Sequence, residues 1–228
     1  MSTPAFRIAL IHATPLAMSP VNEAFTRLWP AAERMNVLDD RLSPDLAREG
    51  SLNDALTRRF IDLATYVKQA GARGILFTCS AFGPAIEAAG LAVSLPTYKP
   101  NEAMFLEALA VRARAGALRI GLLSTFAPSV PSMSEELLAI ARSHALPVEL
   151  ITACAAGALE ALARGDAETH DHLVAETSVA LAHCDVVMLG QFSMARAYAA
   201  VSERIGAPVL TSPDSAVRLL HKALHPLK

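Results

Sequence analysis

The run Arg7-Ile8-Ala9-Leu10-Ile11 returns as Arg119-Ile120-Gly121-Leu122-Leu123, 112 residues further on. A second run, Gly74-Ile75-Leu76-Phe77-Thr78-Cys79, has the character of Val186-Val187-Met188-Leu189-Gly190-Gln191, again at 112 residues. Pro100-Asn101-Glu102-Ala103 is echoed by Pro213-Asp214-Ser215-Ala216 at 113. A solenoid repeats every ~20–50 residues, so this period describes two copies of one small domain instead.

Short apolar runs at 7–11, 73–77, 118–123 and 185–189 read as buried strands, with weaker ones near 35–38, 92–95, 147–150 and 207–210. Helical patterns separate them. Asn53 to Gln69 places Leu56, Phe60, Leu63 and Val67 on one face, Glu102 to Ala115 ends at Gly116, and Asp166 to His183 and Ser212 to Leu224 behave likewise. Strands alternating with helices imply parallel sheets covered on both faces. The fold class is therefore α/β. Its division is residues 1–97, completed by a C-terminal helix at 208–228, and residues 98–207.

The chain has 228 residues, enough for two domains of this size, and 53% are hydrophobic, enough for two cores. A formal charge of -2 lacks the basic face that nucleic acid needs. No stretch approaches the ~18 apolar residues of a membrane span; Leu150 to Leu159 has the length of a core helix. The early residues do not read as a secretion signal, since the apolar run stops at His12. Three cysteines without CxxC spacing form no disulfide framework, which suits a reduced, cytoplasmic compartment.

Ligands of open parallel sheets bind beyond the carboxyl ends of the strands. There the sequence reads His12-Ala13-Thr14-Pro15, Thr78-Cys79-Ser80-Ala81-Phe82-Gly83, Ser124-Thr125-Phe126-Ala127-Pro128 and Gly190-Gln191-Phe192-Ser193-Met194. Hydroxyls, a thiol and an amide gather with almost no charge, a set suited to a small anion held by backbone N–H groups and hydroxyls. Cys79 is the candidate acid, base or nucleophile, because a following helix near Ser80 would lower its pKa. Its competing reading is a small buried hydrophobe. Cys154, in an Ala-rich stretch read as helix, and Cys184 read as core or surface residues. No metal is expected: His170 and His172 sit two apart on a helix, facing different ways, without a third ligand. His12, at a strand end, either contacts substrate or caps a loop. The chain carries no Gly-x-Cys-x-Gly nucleophile elbow at Cys79, no GxGxxG and no P-loop.

The Thr78-to-Gly83 turn, the Gly121-to-Thr125 strand end and the Gly190-to-Met194 turn resemble the aspartate/glutamate racemase superfamily, as do Val37 to Gly50 and Gly157 to Asp166. That group includes glutamate, aspartate and hydantoin racemases, maleate isomerase and arylmalonate decarboxylase. The resemblance spans nearly the whole chain. It implies two similar Rossmann-like or flavodoxin-like domains related by a pseudo-two-fold axis, with the active site in the cleft between them. It also implies proton transfer by a pair of cysteines without metal or organic cofactor. Cys79 matches the first cysteine, Thr125 a threonine that helps bind a carboxylate, and Ser80 and Ala81 the turn that holds the same anion. His12 matches a polar first-loop position. The second cysteine falls on Gln191, which cannot act as a base.

The resulting expectation is a cofactor-independent, cysteine-dependent isomerase or racemase acting on a small carboxylate or amino acid. Cys79 is catalytic, and His12, Ser80, Ala81, Thr125, Gln191, Phe192 and Ser193 bind or polarise substrate. The alternatives are a lyase that decarboxylates a substituted malonate-type acid, and a non-catalytic small-acid binding protein. Phe82, Phe126 and Phe192 hint at an apolar substituent. Neither nucleic acid nor membrane is an expected partner, and self-association into a homo-oligomer stays open.

Overall fold

The structure, a computed structural model, describes residues 6–225. Strands β1 (Arg7–His12), β2 (Glu33–Leu38), β3 (Gly74–Phe77) and β4 (Thr97–Tyr98) form one parallel sheet in the order β2-β1-β3-β4. Strands β5 (Leu118–Ser124), β6 (Val148–Cys154), β7 (Val186–Leu189) and β8 (Val209–Thr211) form a second, in the corresponding order β6-β5-β7-β8.

The repeat extends to the register. Ile8 pairs with Gly74 and Ile11 with Phe77 in the first sheet; Ile120 pairs with Val186 and Leu123 with Leu189 in the second, each partner displaced by 112 residues. The Ile75–Thr97 and Val187–Val209 pairs keep the same offset. Cys79 and Gln191 are thus equivalent positions, each the first residue before a single 3-10 turn, Ser80–Phe82 in one unit and the start of Phe192–Ala197 in the other.

The first unit carries α1 (Met18–Leu28), α2 (Leu42–Glu49), α3 (Asp54–Gln69) and α4 (Gly83–Val93). The second carries α5 (Glu102–Leu109), α6 (Val130–Ser143), α7 (Ala158–Ala163), α8 (Ala167–Ser178) and α9 (Tyr198–Ser202), and α10 (Ser212–Leu224) closes the chain. Asn53 caps α3, its side chain accepting from the Leu56 N–H at 2.9 Å. Side chains alternate across the second sheet: Leu123, Val187 and Leu189 pack on one face, and Ile120, Leu122, Val186 and Met188 on the other. In the first unit Phe60 lies 5.2 Å from Phe77 and 4.8 Å from Phe82 between ring centroids, joining α3 to the end of β3.

By contacts, one compact unit comprises the chain up to Pro100 with Ala216 onward, and the other Asn101–Ser215. Within the segment 208–228, assigned to a C-terminal helix of the first domain, Val209–Thr211 is β8 beside β7, in line with the weak strand pattern near 207–210, and the helix runs from Ser212 to Leu224 as its pattern indicates. Other local expectations also shift. The run 92–95 is not a strand: α4 continues to Val93, and Ser94, with φ 53°, ends it in the left-handed region before the short β4. Cys154 ends β6 rather than lying in a helix, since β6 pairs with β5 along all seven residues. The helix read from Glu102 stops at Leu109; Asp185 accepts from the Arg114 N–H at 3.3 Å and holds the following loop against the sheet. Among the described residues no helix is long and apolar enough to cross a membrane.

Helix α10 presses on the first sheet closely enough that a Cβ on Gly74 would lie 3.1 Å from Leu220. Leu220 is fully buried. Leu220→Ala should therefore cost about 2–5 kcal/mol, read from the urea midpoint. A loss near zero would mean that α10 does not stabilise the first unit.

Candidate active site

The pairing of β1 and β3 runs one residue past the strands, the Thr78 N–H donating to the Ile11 carbonyl at 3.0 Å. Cys79 follows with extended backbone, φ −124° and ψ 123°, so it stands where the two central strands open. The thiol is half-buried against the core that contains Phe60, Phe77 and Phe82. The Ala81 N–H and the Ser43 hydroxyl act to lower the thiol pKa. Burial outweighs both and pushes the thiol above its ordinary pKa. This reverses the expected lowering by a helix terminus: α4 begins only at Gly83, and the single turn between offers too few aligned peptides.

His12 is fully buried at the end of β1. Its Nδ1 lies 2.9 Å from Thr78 Oγ1 and its Nε2 3.0 Å from Asn36 Oδ1. An amide oxygen only accepts, so Nε2 carries the hydrogen and Nδ1 accepts from the Thr78 hydroxyl. Asn36 is held in turn by Asn22, whose Nδ2 donates to the same Oδ1 at 2.9 Å. Burial lowers the imidazole pKa, more than the Asn36 hydrogen bond raises it. His12 is therefore a neutral brace beneath the residue preceding Cys79, with both ring nitrogens occupied.

The second unit repeats the backbone and changes the chemistry. The Gly190 N–H donates to the Leu123 carbonyl at 2.8 Å, the counterpart of the Thr78–Ile11 bond. Gln191 Oε1 accepts from the Thr125 N–H at 2.9 Å and from its hydroxyl at 3.4 Å. Nε2 donates to Ser124 Oγ at 2.8 Å and Ser129 Oγ at 3.1 Å. The amide has thus spent both hydrogens and both lone pairs on the end of β5 and the loop that follows it. Ser124, the counterpart of His12, also accepts from the Phe126 N–H at 3.0 Å, and Ser129 Oγ donates to the Phe126 carbonyl at 2.7 Å.

A family model described as Asp/Glu/Hydantoin racemase matches residues 11–220. The chain belongs to that family. Its fold is similar to that of a glutamate racemase from Bacillus anthracis, with a TM-score of 0.70 at 15% identity, covering 96% of this chain and 81% of that one. The allantoin racemase from Klebsiella pneumoniae gives 0.68 at 18% identity, covering 96% and 88%. Unliganded arylmalonate decarboxylase gives 0.64 at 21% identity, covering 98% and 94%. No curated protein sequence matches the chain.

Within this family frame, the structure gathers Cys79, Ser80 and Ala81 at the end of the first sheet, and Thr125 and Gln191 at the end of the second. Ser80 is half-buried and Ala81 exposed, whereas Thr125, Phe192 and Ser193 are buried. Of the three phenylalanines near the strand ends, Phe82 and Phe192 are core residues, and Phe126 is 48% exposed. Ser43, Asn36 and Ser129 escape the sequence reading, and Ser124 enters it only as part of a strand-end run. The 112-residue offset from His12 points to Ser124; nothing in the pattern marks Ser43, which lies in a helix after β2.

His12 yields a signed prediction. The unfolded chain takes up this proton near pH ~6.5, the folded protein only at lower pH, so the contribution to stability is full above that value and declines as the pH falls below it. The urea midpoint should drop between pH 7.5 and 5, and by less in His12→Gln. Equal drops would remove His12 as the cause. Gln191→Ala, which strands the Thr125 N–H, should cost about 1–3 kcal/mol in the same assay.

Proposed function

We propose that this protein is a cofactor-independent isomerase of the racemase type, acting at the acidic carbon of a small carboxylate, with Cys79 as its acid–base group. The observation that carries the reading is the placement of the Cys79 thiol: it stands at the open end of β1 and β3, in a chain of the racemase family. The thiolate takes the proton from carbon, forming S–H, and the electron pair of the C–H bond passes into the carboxylate as an enediolate. Ser80, with Ala81 beside it in the turn, is the recognition group next to the thiol. The planar enediolate then turns its opposite face to sulfur, and the S–H proton returns to carbon on that face, inverting the centre. General acid–base catalysis of this kind contributes about 10²–10⁴-fold.

Gln191 departs from the two-thiol pattern implied by the resemblance. With its amide already saturated, we assign it to bracing Thr125 and the Phe126 loop rather than to polarising substrate. We likewise assign His12 to holding Thr78. The three cysteines are unpaired, in keeping with a reducing compartment such as the cytoplasm.

A lyase reading draws on one further observation. Burial favours the protonated thiol, and a single protonated thiol suits delivery of one proton to a carbanion. In that reaction the C–C bond electrons stay on carbon as CO₂ leaves, the thiol protonates the carbon, and solvent reprotonates sulfur.

One experiment separates the readings: incubation of amino, hydroxy and substituted malonic acids in D₂O. Deuterium incorporation with inversion is the result expected for the isomerase. Release of CO₂ with one deuteron gained would assign the lyase, and ligand binding without either would assign a binding protein. On any substrate turned over, Cys79→Ala and Cys79→Ser should lose at least about 10²-fold in kcat. Undiminished turnover in Cys79→Ala would return Cys79 to a packing role.

A further inference from the structure

The end of α10 meets the end of α1 through a cluster of rings. His221 and His225 are four residues apart and, unlike His170 and His172, share one face of their helix. Their ring centres are 4.4 Å apart, with the planes at 28°. Trp29, which follows α1, makes T-shaped contacts with both, at 4.8 Å to His221 and 5.5 Å to His225. Phe6, before β1, makes another with His225 at 4.8 Å. Trp29 is itself buried and stacks on Phe25 at 6.0 Å. The indole thus backs both imidazoles, while both histidines remain exposed.

The His225 Nδ1 lies 3.0 Å from the His221 carbonyl, which also accepts the His225 backbone N–H at 3.0 Å. A carbonyl only accepts, so Nδ1 carries the hydrogen and Nε2 keeps the lone pair. Metal-binding imidazoles are held in this way, one nitrogen donating to a carbonyl or carboxylate and the other left for the metal. The ring spacing then selects among metals. With a metal–nitrogen bond of about 2.0–2.1 Å and a nitrogen about 1.1 Å from its ring centre, two imidazoles at a right angle stand about 4.5 Å apart, and at the tetrahedral angle about 5.2 Å. The observed 4.4 Å agrees with the right angle of tetragonal Cu(II) and Ni(II) sites. Burial and the neighbouring His225 lower the His221 pKa, which weakens the competition from protons. Among the described residues no third His, Cys, Asp or Glu joins the pair, so the remaining positions fall to water.

We propose that His221 and His225 form a two-ligand site for a tetragonal divalent cation, Cu(II) or Ni(II), at the end of α10. The site takes no part in the chemistry assigned to Cys79. Phe6 precedes β1 and Cys79 follows β3, so the pair lies at the amino end of the parallel sheet, about 20 Å, one strand length, from the carboxyl end. The unfolded chain holds the two imidazoles at no fixed distance, so the cation binds the folded form and stabilises the last turn of α10 against Trp29.

Trp29 is the single tryptophan of the chain, so its fluorescence reports on this site. The full chain, free of any histidine tag, is titrated with nickel chloride and followed by Trp29 quenching and by calorimetry. Nickel is the probe because Cu(II) would oxidise the exposed thiol of Cys154. The wild type should show saturable quenching. His221→Ala and His225→Ala should each weaken nickel binding at least about tenfold, since one imidazole alone does not chelate. Calorimetry gives the second readout, because removing a ring beside Trp29 changes its fluorescence directly. His144→Ala, at an exposed histidine after α6, should leave nickel binding unchanged. Zn(II) should bind more weakly than Ni(II), because the right angle does not meet its tetrahedral preference. No saturable quenching in the wild type, or undiminished nickel binding in the His221→Ala and His225→Ala variants, would overturn the site. Tighter binding of Zn(II) would overturn the choice of metal. Neither readout depends on turnover, so the outcome stands apart from that of the Cys79 variants.

Discussion

Two backbone hydrogen bonds carry the architecture of this protein: Thr78 N–H to the Ile11 carbonyl, and Gly190 N–H to the Leu123 carbonyl. Each extends a parallel pair of central strands by one residue and so fixes where the chain leaves the sheet. The next residue, Cys79 or Gln191, is then held extended at the sheet's carboxyl end before the chain turns. A parallel sheet with both faces covered leaves its ends as the places where polar side chains can meet a ligand. Shifting either register by one residue would turn the thiol or the amide towards the opposite face of its sheet.

On this shared backbone the two units solve different problems. In the first, position 12 is a histidine, which bonds the hydroxyl of residue 78 and leaves residue 79 free of it. In the second, the counterpart is Ser124, whose short side chain receives the Gln191 amide directly. The first unit thus braces its turn from beneath with a buried neutral network of His12, Asn36 and Asn22. In the second, the residue that stands where Cys79 stands braces the loop after β5. Duplication of the fold has kept the backbone geometry, while a thiol stands at the position in one unit and a bonded amide in the other.

The repeat and the strand ends were legible in the sequence because both are local. Runs such as Ile8 to Ile11 and Val186 to Leu189 are too apolar to lie anywhere but in a covered sheet, and their equal spacing follows from equal connections. Boundaries were less legible where local patterns compete. The Ala-rich run into Val93 suits helix as well as strand, and Cys154 is placed in β6 only by pairing with Ser124.

The sequence by itself determined the fold class, the duplicated plan and the identity of the residues at the strand ends, since hydrophobic periodicity and turn chemistry act between near neighbours. Tertiary structure alone decided what those residues do. Whether Gln191 is free or saturated depends on Ser124, Thr125 and Ser129, more than sixty residues away along the chain. Whether Cys79 ionises readily depends on how deeply the core buries it. Solvation and hydrogen-bond saturation are properties of a packed neighbourhood, and no spacing along the chain encodes them.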